Sequence, residues 1–123
     1  MSKSAQQISI LVVQDDPGDF GLIQASIRRA GLQRLGDRAP LTWVTTLGDG
    51  VRMALASRPD VVLLDLSLPD SAGLATVQEV RAALPDVPII VLTGADDHQL
   101  AEAALEAGAQ DYLVKGQFEH DAL

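Results

Sequence analysis

Residues 61–73, VVLLDLSLPDSAG, form the stretch that decides the fold of this chain. Four apolar residues precede Asp65, two of them β-branched, and turn-forming residues follow it. Such a short apolar run is typical of a strand that is buried on both faces of a parallel sheet. Because ligands of open α/β sheets bind at the carboxyl ends of the strands, Asp65 is a candidate site residue. The simpler interpretation is an aspartate that only caps the next helix, and that interpretation predicts no other polar residues at the same edge of the sheet.

Further apolar segments alternate with helical segments along the rest of the chain. Strands are also predicted at residues 8–13, 41–46, 88–93 and 111–114, and helices at residues 17–30, 49–58, 72–84 and 97–107. In the helix at 49–58, the spacing places Val51, Ala54 and Leu55 inward. The alternation predicts an α/β domain with a five-stranded parallel sheet. The length of 123 residues predicts one domain, 1–123, whose final helix begins near Phe118 and is short or truncated.

Composition limits the classes of function. The formal net charge is −8, and phosphate contacts need clustered Lys and Arg, so direct nucleic-acid binding is not expected. No segment approaches the roughly 20 apolar residues of a membrane span, and residues 1–7 lack a signal-peptide pattern. The absence of cysteine excludes disulfides and thiolate catalysis. A cytoplasmic protein without a membrane partner is therefore expected.

Polar residues follow four of the predicted strands. Because crossovers in such sheets are right-handed, the carboxyl ends of all strands meet at one edge. That edge collects Gln14, Asp15 and Asp16 after the first strand, Asp65 after the third, Thr93 after the fourth and Lys115 after the fifth.

The chemistry of these groups is complementary. Clustered carboxylates repel each other unless a cation intervenes, and Mg²⁺ accepts a sparse oxygen set of this kind. A carboxylate beside such an ion can attack phosphorus. Thr93 could then donate a hydrogen bond to a phosphoryl oxygen, and Lys115 could neutralise one. A single strand-end Thr is usually a cap and a single Lys is usually solvated, but four strand ends with matching chemistry favour a site.

With four motifs in this order, the sequence resembles the receiver domain of two-component response regulators over essentially its whole length. The motifs are ILVVQDDP at 10–17, VVLLDLSLPDSAG at 61–73, IIVLTG at 89–94 and GAQDYLVK at 108–115. The resemblance implies a flavodoxin-like, doubly wound sheet with strand order 2-1-3-4-5. The stretch SLPDSAGLATV at 67–77 also resembles receivers of multidomain signalling proteins, which leaves open whether the chain is part of a longer regulator.

The resemblance also implies roles for individual residues. Asp65 would accept a phosphoryl group from a histidine kinase or phosphotransfer protein, and Thr93 and Lys115 would bind that group. Asp15 and Asp65 would ligate Mg²⁺ through their side chains, and Ser67 through its backbone carbonyl. Thr93 and Tyr112 would form the conformational switch that controls a partner or a downstream domain. Such a domain catalyses only its own phosphoryl transfer and hydrolysis, and a homodimer is left open.

The first loop departs from the family pattern. The family usually has two consecutive acids directly after the first strand, and the first of these positions is Gln14 here. Asp15 matches the direct metal ligand, whereas Asp16 lies one place beyond the usual pair and is a further candidate ligand. Gln14 could hold a metal-bound water through its amide oxygen, but it brings no charge.

Three other functions each fit part of the sequence less well. A phosphatase of the haloacid dehalogenase type carries a second Asp two residues after its nucleophile, where this chain has Ser67. A flavodoxin-like nucleotide binder needs Ser, Thr and Gly donors in the first loop, which is mostly acidic here. A degenerate receiver that docks a partner without phosphorylation is favoured only by Gln14, and the retention of Asp65, Thr93 and Lys115 opposes it.

Overall fold

A computed structural model describes residues 9–27, 41–94 and 97–114 of the chain. The predicted final helix near Phe118 lies outside these residues. The helices are α1 (Pro17–Ile27), α2 (Leu47–Ser57), α3 (Leu74–Ala83) and α4 (His98–Glu106). The strands are β1 (Ile10–Val13), β2 (Leu41–Val44), β3 (Val61–Asp65), β4 (Ser67–Leu68), β5 (Ser71–Ala72), β6 (Ile89–Thr93) and β7 (Asp111–Val114).

Five strands form one parallel sheet with the order β2-β1-β3-β6-β7. This order confirms the predicted flavodoxin-like order 2-1-3-4-5, because β4 and β5 lie outside this sheet. The central strand β3 is the apolar run that precedes Asp65. It is buried on both faces, since Leu63 and Leu64 belong to different core clusters.

Helices pack on both faces of the sheet. Ile23 of α1 belongs to the core cluster on one face. Residues of α2, α3 and α4 belong to the cluster on the other face, including Ala54, Val77 and Ala104. The sheet is therefore doubly wound. None of the described helices is long and apolar enough to cross a membrane.

Helix α2 begins two residues before the predicted start. Thr46 caps it, because its Oγ1 accepts a hydrogen bond from the Asp49 N–H at 3.1 Å. A Cβ on Gly50 would lie 2.9 Å from Cγ2 of Val13, so glycine allows the helix to approach β1 closely. The prediction that Leu55 points inward is wrong, since this side chain is 48% exposed. The buried face of α2 is instead formed by Leu47, Gly50 and Ala54, and Leu55 lies beside this face, towards solvent.

Arg81 fastens the end of α3 opposite the carboxyl edge of the sheet. Its Nη1 donates to the carbonyls of Leu84 and Pro85, each at 2.9 Å, and its Nη2 donates to Gly108 O at 2.8 Å. Gly108 has a φ of 121° in the turn that leads to β7, a conformation that favours glycine. The guanidinium thereby joins the end of α3 to the start of β7.

Candidate functional site

Asp65 is the last residue of the central strand, and only 2% of it is exposed. In the sheet register Leu64 lies beside Val13 of β1, and Asp65 lies beside Leu92 of β6. Gln14 and Thr93 each follow those neighbours directly, so the ends of three strands bring them close to Asp65. The Ser67 N–H donates to Oδ1 of Asp65 at 3.1 Å, which orients the carboxylate.

A cleft of about 180 Å³ opens at this edge of the sheet. It is lined by Asp65, Leu66, Ser67, Leu92, Thr93, Gly94, Asp97 and Leu100. The structure thus brings together three residues that the sequence predicted, namely Asp65, Ser67 and Thr93. The cleft also contains Asp97, whose only signal in the sequence is its position at the start of the helix that follows Thr93.

The Thr93 hydroxyl lies buried beside Asp65. Thr93 is 3% exposed, and its Oγ1 has no hydrogen-bond partner among the residues that the structure describes. A buried hydroxyl without a partner costs about 1–3 kcal/mol, so such groups usually have a partner in the functional state. The hydroxyl is therefore poised for a polar group bound in the cleft.

The two acidic residues in the turn after β1, Asp15 and Asp16, have different surroundings. Oδ1 of Asp16 accepts hydrogen bonds from the N–H groups of Gly18 at 2.7 Å and Asp19 at 3.4 Å. Asp16 is thus the N-cap of α1, with Pro17 at the first helical position. Asp15 is exposed at the carboxyl edge. Of the two acids, Asp15 has the carboxylate that the helix cap does not use.

Gln14 is fully buried and built into the same turn. Its Oε1 accepts a hydrogen bond from the Asp16 N–H at 3.0 Å, and its backbone N–H donates to Val44 O at 3.0 Å. Its Nε2, a donor, has no partner in the described part of the chain. The amide oxygen that was predicted to hold a metal-bound water thus already accepts a hydrogen bond from the backbone.

Trp43 of β2 contacts both the turn after β1 and helix α1. Its Nε1 donates to Gln14 O at 2.6 Å, and its ring stacks on Phe20 of α1 with centroids 4.4 Å apart and planes 6° apart. Trp43 is 37% exposed and is the only tryptophan of the chain. Its fluorescence should therefore report on changes in the turn that carries Asp15.

The side-chain and backbone oxygens that the sequence predicts as metal ligands are of the kind that Mg²⁺ binds. No three His, Cys, Asp or Glu side chains among the described residues form a metal-binding group. Of the ligands that the resemblance implies, Asp65 and Ser67 line the cleft, whereas Asp15 is an exposed residue of the turn after β1 that is not among the lining residues. Mg²⁺ keeps several water ligands and commonly uses one or two carboxylates, so this set suits it better than a cation that requires a protein cage.

The loop that follows Asp65 is anchored on both sides. Strands β4 and β5 pair within it, and the Gly73 N–H donates to Leu66 O at 2.9 Å. The Asp70 carboxylate accepts hydrogen bonds from Leu47 N at 2.8 Å and Gly48 N at 3.0 Å, and these two bonds lower the pKa of Asp70. A lowered pKa means that this link is fully present above the ordinary aspartate pKa and is lost as the pH falls through the lowered value. The loop is thus held to α2 at neutral pH.

Tyr112 lies on β7 beside Val91, and Val114 lies beside Thr93. Because side chains two residues apart point to the same face, Tyr112 and Thr93 share one face and are diagonal neighbours. Tyr112 is partly buried and packs against the core cluster on that face. The remaining predicted residue, Lys115, lies outside the described residues.

Comparisons with known proteins agree with this geometry. A sequence model described as the response regulator receiver domain matches residues 10–123. The probable transcriptional regulatory protein TcrX of Mycobacterium tuberculosis is 34% identical over 113 residues, which cover 89% of this chain and 44% of that protein. The chain therefore spans less than half the length of this relative.

Two solved structures are also similar. One is the receiver domain of sensor histidine kinase PA1611 from Pseudomonas aeruginosa, with a magnesium ion coordinated in the active site cleft. It is 30% identical with a TM-score of 0.69, and the match covers 94% of this chain and 93% of that chain. The other is the BeF3-activated N-terminal receiver domain of RstA from Klebsiella pneumoniae, 28% identical with a TM-score of 0.71, over 87% and 85% of the two chains.

Proposed function

Since this chain belongs to the response regulator receiver domain family, we propose that it is a phosphoacceptor signalling domain in which Asp65 receives a phosphoryl group. The donor is a histidine kinase or a phosphotransfer protein. Membership of this family makes the chain a regulatory domain rather than a classical enzyme. The observation that carries the proposal is the buried carboxylate of Asp65 beside the unpartnered hydroxyl of Thr93, in one cleft.

Phosphoryl transfer requires an oriented nucleophile. The Ser67 N–H donates a hydrogen bond to Oδ1 of Asp65, and strand β3 fixes the backbone of Asp65. The carboxylate is therefore already oriented when a phosphoryl donor binds. A carboxylate oxygen attacks phosphorus, the bond from phosphorus to the donor nitrogen breaks, and an acyl phosphate remains on Asp65. The Thr93 hydroxyl then donates to a phosphoryl oxygen, and Lys115 neutralises another.

Asp15, Asp65 and the Ser67 carbonyl would hold Mg²⁺. When bound, the cation supplies positive charge that offsets the charge of the phosphoryl oxygens. The Asp16 carboxylate caps α1 and would not bind the cation, and the buried Gln14 side chain stabilises the turn through its hydrogen bond with the Asp16 N–H. The net charge of −8 gives no support to direct DNA binding by this chain, although the relative TcrX is described as a probable transcriptional regulatory protein.

The test of this proposal is phosphoryl uptake. Incubation of the protein with acetyl phosphate and Mg²⁺ should add the mass of one phosphoryl group, and peptide mapping should place it on the segment that contains Asp65. Excess EDTA should strongly reduce the uptake. A chain that gains no phosphoryl mass, and that binds no beryllofluoride with Mg²⁺, would be the unphosphorylated docking module that Gln14 favours.

Asp15→Asn should weaken Mg²⁺ binding at least tenfold, whereas Asp16→Asn should change it little. Loss of one charged ligand removes several kcal/mol of Coulomb attraction at an effective dielectric near 20. Desolvation offsets most of this energy, and a remainder of about 1.4 kcal/mol corresponds to a tenfold change in the dissociation constant. Asn caps a helix about as well as Asp, so Asp16→Asn retains the cap. Titration with Mg²⁺, followed through Trp43 fluorescence, measures both variants. Equal losses in the two variants would place Asp16 among the ligands.

A further inference from the structure

The cleft holds a second carboxylate besides Asp65. Among the eight residues that line it, Asp65 and Asp97 are the ionisable ones, and Ser67 and Thr93 provide neutral hydroxyls. Asp97 is exposed, whereas Asp65 and Thr93 are buried. Asp97 therefore lies where the cleft opens to solvent, and Asp65 lies at its inner end.

Asp97 occupies the N-cap position of α4 but does not cap it with its side chain. Its backbone carbonyl accepts a hydrogen bond from the Ala101 N–H at 2.9 Å, while its carboxylate makes no cap hydrogen bond. An N-cap aspartate normally accepts from an amide of the first helical turn. Here Oδ2 lies 3.4 Å from the position that a Cβ on Gly94 would occupy. The carboxylate is thus turned back over the residue that follows Thr93.

From this arrangement we propose that Asp97 orients and deprotonates the water that hydrolyses the acyl phosphate on Asp65. This proposal rests on the proposed function, since it needs a phosphoryl group on Asp65. It makes Asp97 the residue that limits the lifetime of the phosphorylated state.

The reaction balances with water as its sole co-reactant. The oxygen of the water attacks phosphorus from the mouth of the cleft, opposite the Asp65 oxygen. The bond between phosphorus and that oxygen breaks, and its electron pair restores the Asp65 carboxylate. One proton of the water passes to the Asp97 carboxylate and then to solvent, the other stays on the new phosphate oxygen, and hydrogen phosphate leaves.

The other lining residues do not match this role. Ser67 and Thr93 are neutral hydroxyls, which are poor proton acceptors near neutral pH. Asp65 carries the bond that breaks. The leucines that line the cleft offer no polar side-chain atom. A carboxylate at the mouth is the group that combines access to water with the ability to accept a proton.

The test compares the lifetime of the phosphorylated protein in matched variants. Wild type, Asp97→Asn and Asp97→Ala are phosphorylated with acetyl phosphate, freed of the donor and followed by intact mass. Glu102→Gln is the control, because it removes one negative charge from an exposed position of the same helix outside the cleft lining. General bases typically contribute about 10²–10⁴-fold, and an exposed one should lie at or below the lower end, so loss of phosphate should slow at least tenfold in both Asp97 variants.

Two further measurements separate base catalysis from charge repulsion or a structural effect. Hydrolysis by wild type should be slower in D₂O, and this isotope effect should shrink in Asp97→Asn. Beryllofluoride affinity should be the same in wild type and Asp97→Asn, because Asp97 does not hold the phosphoryl group. Equal lifetimes, an unchanged isotope effect, or slower hydrolysis accompanied by tighter beryllofluoride binding would each overturn the role of Asp97. If wild type takes up no phosphoryl group, the proposed function fails, and the role of Asp97 fails with it.

Discussion

Asp65→Asn will abolish phosphorylation of this chain by acetyl phosphate. The amide that replaces the carboxylate is a far weaker nucleophile, and it lies at a position where strand β3 fixes the backbone and the Ser67 N–H fixes one oxygen. Asn has nearly the same volume as Asp, so the fold and the cleft should persist. Intact mass after incubation with the donor and Mg²⁺ should show full uptake by wild type and none by the variant.

A matched control makes this result specific. Asp86→Asn makes the same change from carboxylate to amide, but at an exposed position in the loop between α3 and β6, away from the carboxyl edge of the sheet. It should be phosphorylated like wild type. Undiminished uptake by Asp65→Asn would move the phosphoacceptor to another residue, and the exposed Asp15 would be the first to examine.

The sheet could be predicted from the sequence because its central strands are buried on both faces and therefore consist of apolar residues. The run from Val61 to Leu64 is apolar on both faces, and such a run has one stable place in an α/β domain, between two layers of helices. Each strand end then follows from the run that precedes it. This is why Asp65 and Thr93 were placed together without any knowledge of their contacts.

The errors lie where contacts between distant segments decide the outcome. Leu55 has helical spacing for burial, but α2 approaches Val13 of β1 closely at Gly50, and its buried face is that of Leu47, Gly50 and Ala54. The short β4–β5 pair is too brief to leave a periodic pattern. Asp97 looked like an ordinary helix start, and only the three-dimensional structure shows its carboxylate turned towards Gly94.

The structure gives a physical reason for Gln14, which departs from the family pattern of two consecutive acids. From the sequence it was a lost charge at the metal site. In the structure it is a fully buried support for the turn, joined to Asp16 by its side chain and to Trp43 by its carbonyl. The contact with Trp43 spans 29 residues, so no local pattern could reveal it. A buried residue with these bonds can position Asp15 without adding charge of its own.

Thr93→Ala should uncouple Tyr112 from the phosphorylation site. The acyl phosphate adds negative charge beside Thr93, whose buried hydroxyl has no partner among the described residues and should turn towards it. Tyr112, the only tyrosine of the chain, lies on the same face of the sheet and packs against the core there. We expect the ring resonances of Tyr112 to shift on beryllofluoride binding in wild type and to stay unchanged in Thr93→Ala. Thr93→Ser keeps the hydroxyl, and its Tyr112 should shift like that of wild type.

This coupling must act in both directions. A ligand shifts a two-state equilibrium only through its different affinities for the two states, so the group bound at Asp65 must bind more tightly when Tyr112 has moved. Couplings of this kind are typically about 1–3 kcal/mol, so Thr93→Ala should weaken beryllofluoride binding by roughly 5- to 150-fold while Asp65 remains phosphorylatable. A Tyr112 resonance that does not move in saturated wild type would mean that this ring is a fixed core residue. Equal shifts in wild type and Thr93→Ala would instead show that the path to Tyr112 bypasses the Thr93 hydroxyl.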